Sequence, residues 1–156
     1  MSPAGVRVRV RQPKRHFTTT LVARKDDSTS SSPTPSTLYT FSDIQSLTAQ
    51  ADPKRILIDV REPAELQSTG KIPGSHNLPV TSAPDAFFLP AEEFEERFGF
   101  EKPGNDVEAI FYCKAGVRSR AAARLASQAG FAGRIGEFPG SWIEWEKNGG
   151  QIEREK

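Results

Sequence analysis

The chain has a single cysteine, Cys113, in 156 residues. An internal disulfide is therefore excluded, and no cysteine–histidine spacing fits a structural zinc site. Long apolar runs are missing too. None approaches the roughly 18 residues that a membrane span needs, so membrane insertion is not expected. Acids are missing locally: residues 1–25 carry seven Lys/Arg and no Asp/Glu. Residues 26–156 carry the other 14 cations and all 20 acids, a net charge of −6. The formal charge of +1 thus hides a basic arm on an acidic body. There is no internal repeat, and the length suits one ordinary domain with one core.

The arm, "MSPAGVRVRVRQPKRHFTTTLVARKDD", is Arg-rich, hydroxyl-rich and free of acid up to Asp26. It lacks the apolar centre of a secretory signal and has the composition of a mitochondrial transit peptide. "RHFTTTLVAR" resembles a mitochondrial processing site, with Arg15 just before Phe17 and Arg24 beyond. "DDSTSSSPTPST" reads as a disordered linker, too polar to bury anything. The competing readings are a basic tail without targeting value, or one that touches nucleic acid. Residues 1–36 are set aside as transit peptide and linker, and residues 37–156 are taken as the folded domain. The expected location is the mitochondrial matrix, and no nucleic-acid partner is expected.

From Leu38 on, strand-like and helix-like segments alternate. "LYT" is a short strand candidate, and "SDIQSLTAQ" spells a capping box with Ser42 and Gln45. "RILIDV" and "EAIFYC" are continuous apolar runs, as expected of strands buried on both faces. "EPAELQS" has Pro63 in a helix's first turn, where a missing N–H costs nothing. "GKIPGSHNLPV" is turn-rich, with a short strand expected around His76 to Leu78, and His76 reads as a turn histidine without chemistry. "PAEEFEERFG" is a helix stopped by Gly99. Ala122, Leu125, Ala126 and Ala129 mark one helix face, ended by Gly130. "SWIEWEKNGG" spells a second capping box, Ser141 and Glu144, with Trp142 and Trp145 as core anchors. Alternation of this kind predicts an α/β layer fold around a mostly parallel sheet.

Cys113 falls at the carboxyl end of a buried strand, where open α/β sheets bind ligands. A helix beginning near Ser119 would aim its first unpaired N–H groups back at the loop. Gly116 lets that loop curl, and Lys114 and Arg118 add positive charge. Each ingredient favours thiolate over thiol, so the expectation is a nucleophile at neutral pH without a histidine base. The plain alternative is a packed, inert cysteine. Asp59 and Arg61, at the end of the other buried strand, either line the pocket or form a structural ion pair.

"CKAGVRS" resembles the active-site loop of the rhodanese family of sulfurtransferases, and "LIDVREPAEL", "GKIPGSHNLP" and "FPGSWIEWEKNG" match in order. The insert "FFLPAEEFEERFGFEKP" is similar to that of eukaryotic single-domain rhodaneses. The resemblance covers about residues 38 to 150. It implies a single rhodanese-like domain with a central, mostly parallel five-stranded sheet flanked by helices. It also implies that Cys113 takes a sulfane sulfur from a small anionic donor such as thiosulfate and holds it as a persulfide. The acceptor would be cyanide, glutathione or a protein thiol. The loop Lys114, Ala115, Gly116, Val117, Arg118 and Ser119 would bind the anion, with no metal or organic cofactor.

Two other classes share this fold: a module that only binds protein, and a phosphatase of the cell-cycle dual-specificity type. The intact cysteine and cationic loop argue against the first. Against the second stands loop length. "CKAGVR" has six residues from Cys113 to Arg118, whereas such phosphatases resemble a Cys-x5-Arg pattern of seven. A phosphoryl group needs a wider ring of donors than one sulfur atom, and here the seventh position is Ser119.

Overall fold

The computed structural model describes residues 35–155; the basic arm and most of the linker lie outside them. The first strand, β1 (Thr37–Leu38), leads into helix α1 (Phe41–Ala49). Strand β2 (Arg55–Asp59), helix α2 (Pro63–Thr69) and strand β3 (His76–Asn77) follow. A 3-10 turn (Ala86–Phe88) precedes helix α3 (Ala91–Phe98). Strand β4 (Glu108–Tyr112), helix α4 (Val117–Gln128), strand β5 (Ile135–Glu137) and helix α5 (Ser141–Lys147) complete the order. The strands form one five-stranded sheet in the order β1-β5-β4-β2-β3, and every pairing is parallel. The expected α/β architecture is therefore present, with β4 and β2 at the centre.

The two apolar runs become central strands because both of their faces are covered. Successive side chains of a strand point to opposite sides. Ile58 and Val60 of the β2 segment join Ala109, Phe111 and Cys113 of the β4 segment on one side. There they meet Phe94 of α3 and Ala122, Ala123 and Ala126 of α4. Leu57, Ile110 and Tyr112 face the other side, against Ile44 of α1 and Trp142 and Trp145 of α5. Each large apolar side chain buried this fully contributes about 1.5–3 kcal/mol relative to exposure. Tyr112 is also pinned at its tip: its hydroxyl accepts from the Ile72 N–H at 3.1 Å and lies 2.9 Å from Ser75 Oγ.

Four local expectations need correction. Strand β1 covers Thr37–Leu38 and stops before Tyr39 and Thr40. Helix α1 starts two residues earlier than expected. Its capping box is Thr40 with Asp43, not Ser42 with Gln45, because an ionised Asp at the third position accepts the cap N–H and favours the positive helix end. Helix α4 starts at Val117, not near Ser119, so only Lys114, Ala115 and Gly116 separate it from Cys113. Ser141 opens α5 but does not cap it; the cap is Gly140, and the Ser141 hydroxyl is engaged elsewhere. After α5 the chain returns to the body. Glu153 and Lys71 exchange two backbone hydrogen bonds of 2.9 Å, an isolated antiparallel bridge.

Candidate active site

Cys113 ends the β4 run and is 1% exposed. The three loop residues after it curl back over the sulfur. The Gly116 N–H donates to Sγ at 3.0 Å, and Ser119 Oγ lies 3.5 Å from it. Gly116 makes this turn with φ +96, and a Cβ there would lie 2.7 Å from the Pro139 carbonyl oxygen. Only glycine satisfies both constraints. Burial opposes ionisation of Cys113. The Ser119 hydroxyl and the N–H groups of Ser119, Gly116 and Ala115 outweigh it and hold the thiol below its ordinary pKa. The loop thus acts through hydrogen bonds to the sulfur.

A second element locks the loop from behind. The first N–H groups of a helix lack partners within it. In α5 they find the loop carbonyls: Trp142 donates to Cys113 O at 2.9 Å and Ile143 to Lys114 O at 3.1 Å. Ser141 Oγ accepts the Cys113 N–H at 3.1 Å, donates to Phe138 O at 2.9 Å, and lies 3.9 Å from Sγ. Ser141 has φ +54, the one non-glycine residue with positive φ among those described. Strain of this kind persists where surrounding contacts fix it, and here it aims the hydroxyl at the backbone of the nucleophile. The sequence pattern alone spells a helix cap at Ser141. Its place in "FPGSW", with glycine just before it, was the available signal.

The cations divide. Lys114 is exposed at the loop's outer side. Arg118, expected to attract the substrate anion, is bound in a bidentate pair to Glu65 of α2, at 2.6 and 2.9 Å. That guanidinium pulls the Glu65 carboxyl down to about 2, helped by the Glu62 N–H. Glu65 was not anticipated, since the partners lie 53 residues apart and nothing local marks the contact. Ala115 and Val117 are exposed, Gly116 is half-buried and Ser119 is buried.

Asp59 and Arg61 sit at the neighbouring strand end and are fully paired with each other. Arg61 Nη2 donates to Asp59 Oδ2 at 2.7 Å, and Nε reaches both carboxylate oxygens at 3.1 Å. Nη1 donates to Thr69 Oγ1 at 2.8 Å and Nη2 also to Gly70 O at 2.9 Å. The guanidinium lies over the Trp142 ring, 4.7 Å from its centre. Of the two readings left open, the geometry favours the structural ion pair. His76 stacks on Phe100 with ring centres 4.6 Å apart, and burial lowers its pKa. Among the described residues no cluster of three or more His, Cys, Asp or Glu could hold a metal, and no helix is long and apolar enough to cross a membrane.

A cysteine whose pKa is lowered by hydrogen bonds from its loop, at the carboxyl end of a central parallel strand, defines a class. It comprises α/β enzymes that use one thiolate as nucleophile within an anion-binding loop. The particular family is the rhodanese-like domain family, to which this chain belongs: its model matches residues 42–148. The mitochondrial thiosulfate sulfurtransferase RDL2 of Saccharomyces cerevisiae is 43% identical over 113 residues, 72% of this chain and 74% of the relative. A thiosulfate:glutathione sulfurtransferase of the same organism is 42% identical, covering 72% of this chain and 79% of that protein. The solved structure of the single-domain sulfurtransferase RDL2 superposes with a TM-score of 0.69 at 42% identity, covering 74% of this chain and 92% of that one.

Proposed function

We propose that this rhodanese-like protein is a thiosulfate sulfurtransferase working through a persulfide on Cys113. The observation that carries this reading is the buried Cys113 sulfur, which faces the loop's N–H donors, that of Gly116 at 3.0 Å, with the Ser119 and Ser141 hydroxyl oxygens 3.5 and 3.9 Å away. The thiolate attacks the outer sulfur of thiosulfate, the S–S bond breaks, and sulfite leaves with the bonding pair. The same donors then stabilise the terminal persulfide sulfur. A thiol acceptor, glutathione or a protein cysteine, attacks that sulfur and regenerates the Cys113 thiolate. No second cysteine exists in the chain, so discharge through an internal disulfide is excluded.

In this reading Ala115, Gly116, Val117 and Ser119 supply the loop, and Lys114 supplies the charge nearest the entering anion. Arg118 contributes its backbone while its side chain is held by Glu65. That pairing also supports sulfur over phosphate chemistry, because a guanidinium already forked onto a carboxylate is not free to fork onto phosphate oxygens. Asp59 and Arg61 support the site without touching substrate.

The test is intact mass after incubation with thiosulfate. One sulfur atom should be added and then removed by a reducing thiol, with no addition in Cys113→Ser. An unmodified wild-type mass, or hydrolysis of an aryl phosphate at a rate rivalling sulfur transfer, overturns the reading. We further assign the catalytic domain to residues 37–156 and residues 1–36 to delivery and linkage. The acid-free basic arm and the mitochondrial relatives support a mitochondrial protein, in the matrix. A reporter fused to residues 1–36 should enter mitochondria; a diffuse cytosolic signal removes the assignment.

A further inference from the structure

Five of the 14 cations of residues 26–156 fall in the stretch that begins with the reactive cysteine. Residues 113–136 carry Lys114, Arg118, Arg120, Arg124 and Arg134, and no Asp or Glu. Setting these five aside leaves nine cations against 20 acids in the rest of residues 26–156, a net charge of −11. Arg118 is paired with Glu65, and Arg134 lies 3.4 Å from Glu108. Lys114, Arg120 and Arg124 have no ion-pair partner among the described residues, and all three are exposed.

Helical spacing puts the two arginines on one face of α4. Val117, Arg120 and Arg124 follow one another at three and four residues along α4, so they share a side of the helix. Val117 starts that stripe and is 78% exposed. Ile143, 51% exposed, lies in the first turn of α5, where its N–H holds the Lys114 carbonyl at 3.1 Å. Exposed apolar residues therefore open both helices that adjoin the loop over Cys113, and Arg120 and Arg124 follow along α4, beside Pro35, Ser36 and Glu137. From Val117 to Arg124 the helix climbs about 10 Å. Thiosulfate or cyanide at the sulfur does not span that distance, whereas a protein segment lying across the loop does.

We propose that the face formed by Lys114, Val117, Ile143, Arg120 and Arg124 docks an acceptor protein through an acidic segment beside that protein's cysteine. The proposal rests on the Cys113 persulfide reading. The acceptor's thiolate attacks the outer persulfide sulfur, the S–S bond breaks, and Cys113 leaves as thiolate with the bonding pair. The acceptor gains the persulfide, and no oxidant or reductant is consumed. The net charge of −11 on the rest of residues 26–156 disfavours such a partner elsewhere and helps to orient its approach.

The test uses the full-length protein loaded with thiosulfate and three short cysteine peptides, flanked by Asp/Glu, by Asn/Gln or by Lys. At an ionic strength of about 0.15 M, kcat/KM for the acidic peptide should exceed that for the neutral one by about tenfold, and the basic peptide should be poorest. The Arg120→Gln/Arg124→Gln double variant should lose most of that preference. Its thiosulfate-to-cyanide transfer should stay within about twofold of wild type, because neither side chain touches the sulfur. Equal rates for the three peptides, or a preference that survives in the double variant, overturns the docking face while cyanide transfer leaves the enzymology standing. Tighter anisotropy-measured binding of a single-stranded oligonucleotide than of the acidic peptide would assign the face to nucleic acid instead. Absence of cyanide transfer in the wild type would fell the persulfide reading and this proposal together.

Discussion

Two adjacent strand ends, level with each other in the sheet, hold the two most polar buried sites near the loop. Asp59 on β2 is in register with Tyr112, the last residue of β4. At the β2 end each nitrogen of Arg61 donates to a protein oxygen, and the carboxylate opposite neutralises its charge. At the β4 end several donors converge on one sulfur atom, and no cation touches it. The first site is closed, with its charge and donors already matched. The second holds donors ready for a negative charge that a bound anion or a persulfide would supply. A buried ion pair therefore marks structure here, and N–H donors converging on one sulfur with no cation against it mark chemistry.

The largest test of that contrast is Cys113→Ser. It should leave less than about one per cent of thiosulfate-to-cyanide transfer, a barrier increase above roughly 2.7 kcal/mol, with the thermal midpoint nearly unchanged. Arg61→Ala should do the reverse. It strands a buried carboxylate and should cost about 3–5 kcal/mol of stability in urea titration, while the protein that remains folded still transfers sulfur. Replacing Asp59 as well should recover part of the loss. If Arg61→Ala is as stable as wild type and yet inactive, the two strand ends do not differ in the way described.

A subtler change sits between these extremes. Gly116→Ala forces a Cβ into left-handed backbone against the Pro139 carbonyl, a cost of about 1–2 kcal/mol. It also displaces the N–H that faces the sulfur. The pH dependence of Cys113 alkylation reads this out without ambiguity, because no other thiol competes. The wild-type midpoint should lie below 9.0, and the variant's should rise.

The smallest effect is expected at Glu65. Its folded pKa of about 2 lies below the ordinary 4.5, so its contribution is full above pH 4.5 and fades as pH falls toward 2. With both partners about a third exposed, the pair is worth no more than about 1 kcal/mol. Glu65→Gln should flatten that part of the stability curve in acid. An unchanged acid limb would show that the Arg118 contact is weak in solution.

How much of this was legible follows from range. The two apolar strand runs, the Gly99 stop and the order strand–loop–helix around Cys113 are legible in consecutive residues, though the helix starts at Val117, two residues before the expected Ser119. The caps were ambiguous because Thr40–Asp43 and Ser42–Gln45 both spell a box, and an amide at the third position competes poorly with a carboxylate. Around the sulfur, sequence identified Gly116 and the loop but not what locks it. The Ser141 hydroxyl is 28 residues from Cys113, and the Glu65 clamp on Arg118 is 53 residues away. Such contacts exist only once parallel strands have brought distant helix ends together.

The antiparallel bridge between Lys71 and Glu153 has a mechanical meaning. Two backbone hydrogen bonds, with a third from the Gly74 N–H to the Glu153 carboxylate at 2.9 Å, stitch the last described residues to the loop that feeds β3. Tension applied beyond Glu155 therefore loads this stitch first, at the sheet's edge, two strands away from the nucleophile. It should act as a fuse, unzipping at low force while β2, β4 and the Cys113 loop stay seated.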